Sequence, residues 1–315
     1  MSMKMYLHYA ITSQPWGGIN SYFKAFKEYM NCKSDFKVVD KFDDNYDILL
    51  MGANAFGRTE RIKYSDIEQV KRKGVKVIHR LDGLRSNYTK NEKFLREDNQ
   101  QLELSNLADW LIFQSNSCYN EFKNKKALGS NFSIINNGVN QDIFNDKYLS
   151  RKRRKRSTLK VLSVSWSNNI NKGFETIARM SEIPGVQSFF VGNWNKNVDL
   201  KKVKVISPLA RGYLSNYYKD CDIFLHPAKG DPCPNVVIEA LSSGLPVIYH
   251  NSGGTPELVR GCGLPIEESL SDTLSAINDN YDDFLKKLKD NKEYFSIKFS
   301  VDQYIKIFKQ VLGRL

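Results

Sequence analysis

Long apolar runs are missing from this chain of 315 residues. No stretch of about 18 or more consecutive apolar residues occurs, so a membrane-spanning helix is not expected. Cysteine is sparse: Cys32, Cys118, Cys221, Cys233 and Cys262 are scattered, odd in number and contain no CxxC pair. That usage argues for reduced thiols in a cytoplasmic protein and against structural zinc. The start, Met1 to Thr12, lacks the apolar core of a secretory signal and is read as a first strand. Acidic residues are too few to balance the basic ones, 35 against 47, which leaves a net charge of +12. Such an excess points to anionic partners (phosphates, acidic glycans, anionic lipid or nucleic acid), with general solubility as the plainer alternative.

The hydrophobic fraction of 41% is ample for packed cores, and the length suits two ordinary domains better than one very large one. Short apolar runs alternate with amphipathic stretches, the sign of β/α units on parallel sheets. Strands are expected at 4–10, 38–40, 46–51, 75–79 and 132–135. Ile19, Tyr22, Phe23, Phe26, Tyr29 and Met30 recur at helical spacing, so Gly17 and Gly18 sit between a strand and a helix, where backbone can approach a phosphate or simply turn. The run from His79 to Arg85 gathers polar groups at a strand's carboxyl end, the functional edge of an open α/β sheet. Either His79 or Asp82 is a candidate there, and a structural histidine is an equal alternative.

Six consecutive bases, Arg151 to Arg156, repel one another and mark a linker at 146–157 between domains at 1–145 and 158–315. The pattern then restarts with a strand at 159–164. Lys172 and Gly173 follow at the start of a helix, where an ammonium can reach a phosphate. Trp166, in the same loop, is expected to be a buried anchor, with packing against a base as the alternative. Asp220-Cys221-Asp222 has DxD spacing but precedes its strand, at the edge away from the expected site. A last helix is expected to be capped by Ser300.

The richest stretch is His226 to Glu257, HPAKGDPCPNVVIEALSSGLPVIYHNSGGTPE. A loop leads from an apolar strand into a short helix at about Asn235. Asp231 and Glu239 stand on either side of that helix start, so both carboxylates can face one crevice. The helix N-terminus favours an anion. Pro232 and Pro234 lack an N–H, which leaves Cys233, Asn235 and Val236 as donors. Gly244 suits the helix end, and Thr255, Pro256 and Glu257 read as the cap and first turn of another helix.

Asp231, seven residues, Glu239, then Ala240-Leu241-Ser242-Ser243-Gly244-Leu245-Pro246-Val247 and Gly253-Gly254-Thr255-Pro256-Glu257, resembles the donor-binding segment of retaining glycosyltransferases of family four. The family's usual first glutamate is Asp here. Asn136-Asn137-Gly138-Val139-Asn140, with Phe144, resembles the family's signature before the domain crossover. The resemblance implies a GT-B fold, two Rossmann-like domains facing across a cleft, with the terminal helix crossing back to the first. It implies sugar transfer from a nucleotide-sugar to an acceptor hydroxyl of a glycan or lipid-linked acceptor, in surface-glycan or glycolipid synthesis, with no metal or other cofactor. Asp231, Lys172 and either His79 or Asp82 would do the chemistry. Gly17, Gly18, Gly173, Cys233, Asn235, Val236, Glu239 and Glu257 would hold the donor. The family's arginine ahead of the lysine is missing between Ser163 and Gly173. The six bases suggest reversible contact with the inner face of an anionic membrane, and nucleic acid is not expected as a partner. A silent nucleotide-sugar-binding protein, or a phosphorylase or epimerase of the same fold, is the alternative.

Overall fold

A computed structural model describes residues 2–12, 17–42, 45–53, 62–87, 92–123, 131–146 and 158–314. The chain divides into two compact units. One comprises residues 1–11, 22–136 and 298–315, and the other residues 12–21 and 137–297. The basic run at 151–156 lies outside the described residues.

The first unit is built on β1 (Met3–His8), α1 (Gly18–Asn31, from Tyr22 onward), β2 (Phe36–Val39), β3 (Ile48–Met51), α2 (Tyr64–Arg72), β4 (Lys76–Leu81), α3 (Glu92–Ser105), β5 (Trp110–Phe113), α4 (Asn116–Phe122) and β6 (Phe132–Ile134). Its sheet runs β2-β1-β3-β4-β5-β6, every pair parallel. All four residues of β3 are buried, as expected of a central strand covered on both faces. The helical stripe of α1 supplies Tyr22, Phe23, Phe26 and Met30 to the core.

The second unit contains β7 (Leu159–Ser165), α5 (Phe174–Met180), β8 (Val186–Gly192), β9 (Lys204–Ile206), α6 (Arg211–Asp220), β10 (Ile223–His226), α7 (Asn235–Ser242), β11 (Val247–Tyr249), α8 (Thr255–Val259), β12 (Gly263–Pro265), α9 (Leu270–Asp279) and α10 (Tyr281–Asp290). Its parallel sheet runs β12-β11-β10-β7-β8-β9. Strand side chains alternate between faces, and this period of two divides the core. Val161, Ile223, Leu225 and Ile248 pack on one side, Leu162, Phe224 and Val247 on the other.

Asp220 and Asp222 lie where β7 and β10 begin. Asp222 accepts the Lys160 N–H at 2.8 Å, and Asp220 pairs with Lys160 Nζ at 2.5 Å. The DxD spacing thus serves strand alignment.

The last helix, α11 (Ile297–Val311), groups from Lys298 onward with the first unit. It begins earlier than the sequence suggested, so Ser300 is inside it rather than capping it. The Ser300 hydroxyl instead donates to Asn136 O at 2.8 Å and lies 2.9 Å from Tyr22 Oη. Tyr304 meets Phe26 edge-on at 5.1 Å.

Candidate active site

In the second sheet the chain leaves β7 toward β8 on one side and returns through β10 to β11 on the other. The carboxyl ends of β7 and β10 are therefore a topological switch point, where diverging loops open a crevice. The β7 loop ends in a tight turn, Ile170–Lys172, closed by Asn169 Oδ1 accepting the Asn171 N–H at 2.9 Å. Gly173 then adopts φ +76°, and a Cβ there would stand 2.7 Å from Pro227 O. Glycine at this position lets the β7 loop rest on the β10 loop, with the Lys229 N–H reaching Asn171 O at 2.9 Å. The result is a pair between Lys172 Nζ and Asp231 Oδ2 at 2.8 Å.

Asp231 is seated by its own backbone. Its carbonyl accepts the Gly254 N–H at 2.9 Å, and its carboxylate faces the Cys233 N–H at 3.4 Å. Behind it, Ser252 Oγ accepts the Gly230 N–H at 2.9 Å and lies 2.8 Å from His250 Nδ1. Burial pushes the Asp231 pKa up, but the charge of Lys172, His226 and the Cys233 N–H together hold it below the ordinary carboxylate value. His226 ends β10, and burial pushes its pKa down to about 4, so it is neutral near pH 7. Among the described residues its Nε2 is buried without a hydrogen-bond partner.

Helix α7 begins at Asn235, so the Asn235 and Val236 N–H groups have no carbonyl inside the helix to bond. The Asn235 carboxamide donates to Gly18 O at 2.5 Å and accepts from Asn137 Nδ2 at 2.8 Å. That bridge holds the exposed Gly17-Gly18 turn against the helix start. Glu239 lies one turn further in, 4% exposed. It accepts the Tyr218 hydroxyl at 3.1 Å and stands 3.7 Å from Arg211 Nη2. Glu257 is half-buried in α8. That helix starts at Thr255, so Thr255 is its first residue rather than its cap, and among the described residues Thr255 Oγ1 is buried without a partner.

In the first unit, β4 continues past His79 to Leu81, because Arg80 is buried there instead of turning outward. Its guanidinium lies over Tyr22 and Phe23 and pairs with Asp82 at 2.8 Å. His79 is therefore interior to the strand and wholly buried, with Nδ1 3.4 Å from Ser105 Oγ, a core histidine. Asp82 stays reachable, its side chain 28% exposed while held by Arg80 and the Gln114 carboxamide. Trp166 is not the buried anchor expected from sequence but 41% exposed.

Burial pushes the His79 pKa down to about 3, so the folded chain refuses a proton that the unfolded chain accepts near pH 6.5. His226 acts in the same sense. The stability both supply is present above about pH 6.5 and is lost as pH falls toward their folded values. Urea unfolding of wild type and His79→Leu between pH 7 and 4 is expected to show a decline that the variant shares only in part, the difference reaching about 3 kcal/mol. Parallel curves would remove His79 as a cause.

Arg211 and Tyr218 carry no motif in sequence and were found only through their contacts with Glu239. Asn137 was visible in the signature, but not its bond to Asn235.

Residues 155–291 match the family described as glycosyl transferases group 1. The matched stretch falls within the second unit. Sulfoquinovosyl transferase SQD2 of Arabidopsis thaliana is 29% identical over 138 residues, 40% of this chain and 27% of the relative. The chain thus spans about a quarter of the curated relatives' length. Sucrose-phosphate synthase from Thermosynechococcus elongatus superposes with a TM-score of 0.73 at 16% identity, covering 100% of both chains. Anabaena Alr3699/HepE in complex with UDP superposes with a TM-score of 0.70 at 15% identity, again covering 100% of both. Two parallel six-stranded sheets flanked by helices are the two-domain α/β architecture of GT-B glycosyltransferases.

Proposed function

We propose that the protein moves a sugar from a nucleotide-sugar donor to an acceptor hydroxyl with retention of anomeric configuration, as a family-four enzyme of surface-glycan or glycolipid synthesis. The observation that carries this reading is the Lys172–Asp231 pair beside the open N-terminus of α7 and the buried Glu239, at the switch point of the matched segment. Neighbours in complex with UDP and with UDP-glucose support a nucleotide-sugar donor, and a relative named as a sulfoquinovosyl transferase supports sugar transfer.

In this reading the bond from the anomeric carbon to the leaving phosphate oxygen breaks, and the bond to the acceptor oxygen forms on the same face. The acceptor's proton passes to the leaving phosphate. Charge growing on that phosphate is met by Lys172 and by the N–H groups of Asn235 and Val236, with the Gly17-Gly18 backbone close to the same helix start. These groups take the place of the absent arginine. Asp231 accepts hydrogen bonds from the donor sugar, Glu239 from the ribose, and Asp82 serves the acceptor side.

The test is thermal stabilisation by UDP, GDP and ADP, followed by sugar transfer and donor hydrolysis with the nucleotide that binds. A ligand at 100 times its Kd raises stability by about 2.7 kcal/mol. No shift with any of them, together with no hydrolysis of their sugars, would falsify the reading. Transfer is expected to survive EDTA, because charge balance rests on Lys172 and amides. Glu239→Gln is expected to raise the donor KM about tenfold or more with kcat kept, since a ribose contact is shared by ground and transition states. Equal falls in kcat and kcat/KM would reject that role.

The reading extends to the membrane through Arg151 to Arg156, each base worth about 1 kcal/mol near an anionic leaflet. Salt-sensitive sedimentation with phosphatidylglycerol vesicles is expected, and is lost when the six are changed to Ser or Gln.

A further inference from the structure

Glu239 is a buried carboxylate with unfilled hydrogen-bonding capacity. Its two oxygens offer about four acceptor positions. Among the described residues one hydrogen bond reaches them, from Tyr218 Oη at 3.1 Å. Arg211 Nη2, at 3.7 Å from the other oxygen, supplies charge but is beyond hydrogen-bond length. An interior carboxylate left so short of donors is costly unless something else fills the remaining positions.

The two side chains that do reach Glu239 come from one element. Arg211 is the first residue of α6, and Tyr218 lies seven positions on, two helical turns along the same face. Phe144 fixes both: its ring meets Tyr218 edge-on at 5.6 Å and lies 5.9 Å from the Arg211 guanidinium carbon. Tyr218 also packs on Phe224 of β10 at 5.6 Å, and its hydroxyl is 3.2 Å from Val236 O. The ring is thus locked on three sides before any ligand arrives. Burial pushes the Glu239 pKa up, and Arg211 and Tyr218 pull against it.

We propose that Arg211 and Tyr218 are positioning residues that hold Glu239 in the one orientation from which its carboxylate accepts both vicinal hydroxyls of a ligand's ribose. The inference rests on the sugar-transfer reading, in which Glu239 meets the donor ribose. Arg211 acts through charge and Tyr218 through direction. Neither touches the ligand in this scheme, so both set the discrimination between ribose and a ribose lacking its hydroxyls, without setting affinity for the diphosphate.

The experiment is calorimetric titration of wild type, Tyr218→Phe, Arg211→Gln and Arg211→Lys. Each is titrated with whichever of UDP, GDP and ADP stabilises the wild type most, and with its 2′,3′-dideoxy analogue. Wild type is expected to prefer the ribonucleotide by about 10- to 100-fold, the range for hydrogen bonds to a charged group. Tyr218→Phe and Arg211→Gln are expected to bring that preference to within about threefold while leaving affinity for the dideoxy analogue unchanged, and Arg211→Lys to restore part of it. Tyr218→Phe removes one oxygen and keeps every ring contact, so the test stands even if Arg211→Gln does not fold. Variants that keep the full preference, or that weaken both ligands equally, overturn the inference and leave Glu239's role standing. A wild type that binds the two ligands equally overturns the ribose role itself, and the inference with it.

Discussion

Lys172→Met is expected to lower kcat for sugar transfer by about a hundred- to a thousandfold, the usual loss when one preorganised group facing developing charge is removed. Two features of the site make the lysine hard to replace. No arginine precedes it in its loop, so the side-chain charge in that loop opposite Asp231 is its own. The Gly173 backbone also lies against Pro227, which leaves no room for a bulkier residue to bring a second cation closer. The same variant should shift the acid limb of the rate profile to higher pH. Lys172 is a main reason that the Asp231 carboxyl titrates low; without it, burial dominates and the pKa rises. Asp231→Asn frees the lysine and should lower kcat by itself, and the double variant should do little more harm than the worse single one, because the two groups act as a unit. Steady-state rates of the three variants between pH 5 and 9 decide it. Lys172→Met that keeps more than about a tenth of the wild-type kcat sinks the assigned role.

Much of the geometry of this candidate site was legible in sequence, and the reason is local. The loop from β10 into α7, the two carboxylates around the helix start, the glycine that ends α7 and the lysine-glycine pair after β7 are each encoded within a few residues. Turn chemistry and strand period suffice to place them. Gly244, at φ +82°, ends α7 as its position suggested. Sequence patterns fail where a side chain's partner is remote. Arg80 reads as a polar residue that should end β4, yet the rings of Tyr22 and Phe23 and the carboxylate of Asp82 let it stay buried, and His79 is carried inward with it. Ser300 reads as a cap because serine caps helices, but a helix can begin earlier when the hydroxyl has tertiary partners, here Tyr22 and Asn136. Trp166 was expected as a buried anchor. Its loop is instead held by backbone carbonyls, with Asn193 bonded to Trp166 O and Asn195 to Asn168 O, so the indole is not needed as an anchor. Arg211 and Tyr218 show the same limit at the site itself: the period of α6 puts them on one face, but nothing local says that the face looks at Glu239.

Gly253→Ala is expected to damage the protein more than any side-chain truncation in the site, although it adds a single methyl group. Gly253 adopts φ +64°, and a Cβ there would stand 2.3 Å from Asp231 O and 2.8 Å from Asp231 N. Both are backbone atoms of the loop that carries the proposed sugar contact. That carbonyl is already held by the Gly254 N–H, so it cannot swing aside without giving up a bond. The left-handed conformation alone costs alanine about 1–2 kcal/mol, and overpacking against fixed atoms adds about 1–3 kcal/mol. The second unit should therefore lose about 2–5 kcal/mol and melt about 5–15 °C lower. Gly17→Ala separates the two contributions. Gly17 has φ +58°, but an added Cβ meets nothing within 4 Å among the described residues, so this variant carries the conformational cost without the collision. It should stop at about 1–2 kcal/mol. Thermal melts of both variants, with and without the nucleotide that wild type binds, read stability and the site together. Asp231 displaced with its loop should leave the surviving folded Gly253→Ala without measurable transfer. Melting within about 2 °C of wild type and full turnover would mean that the loop carrying Asp231 yields easily, and the tight seat described for that carboxylate would be wrong.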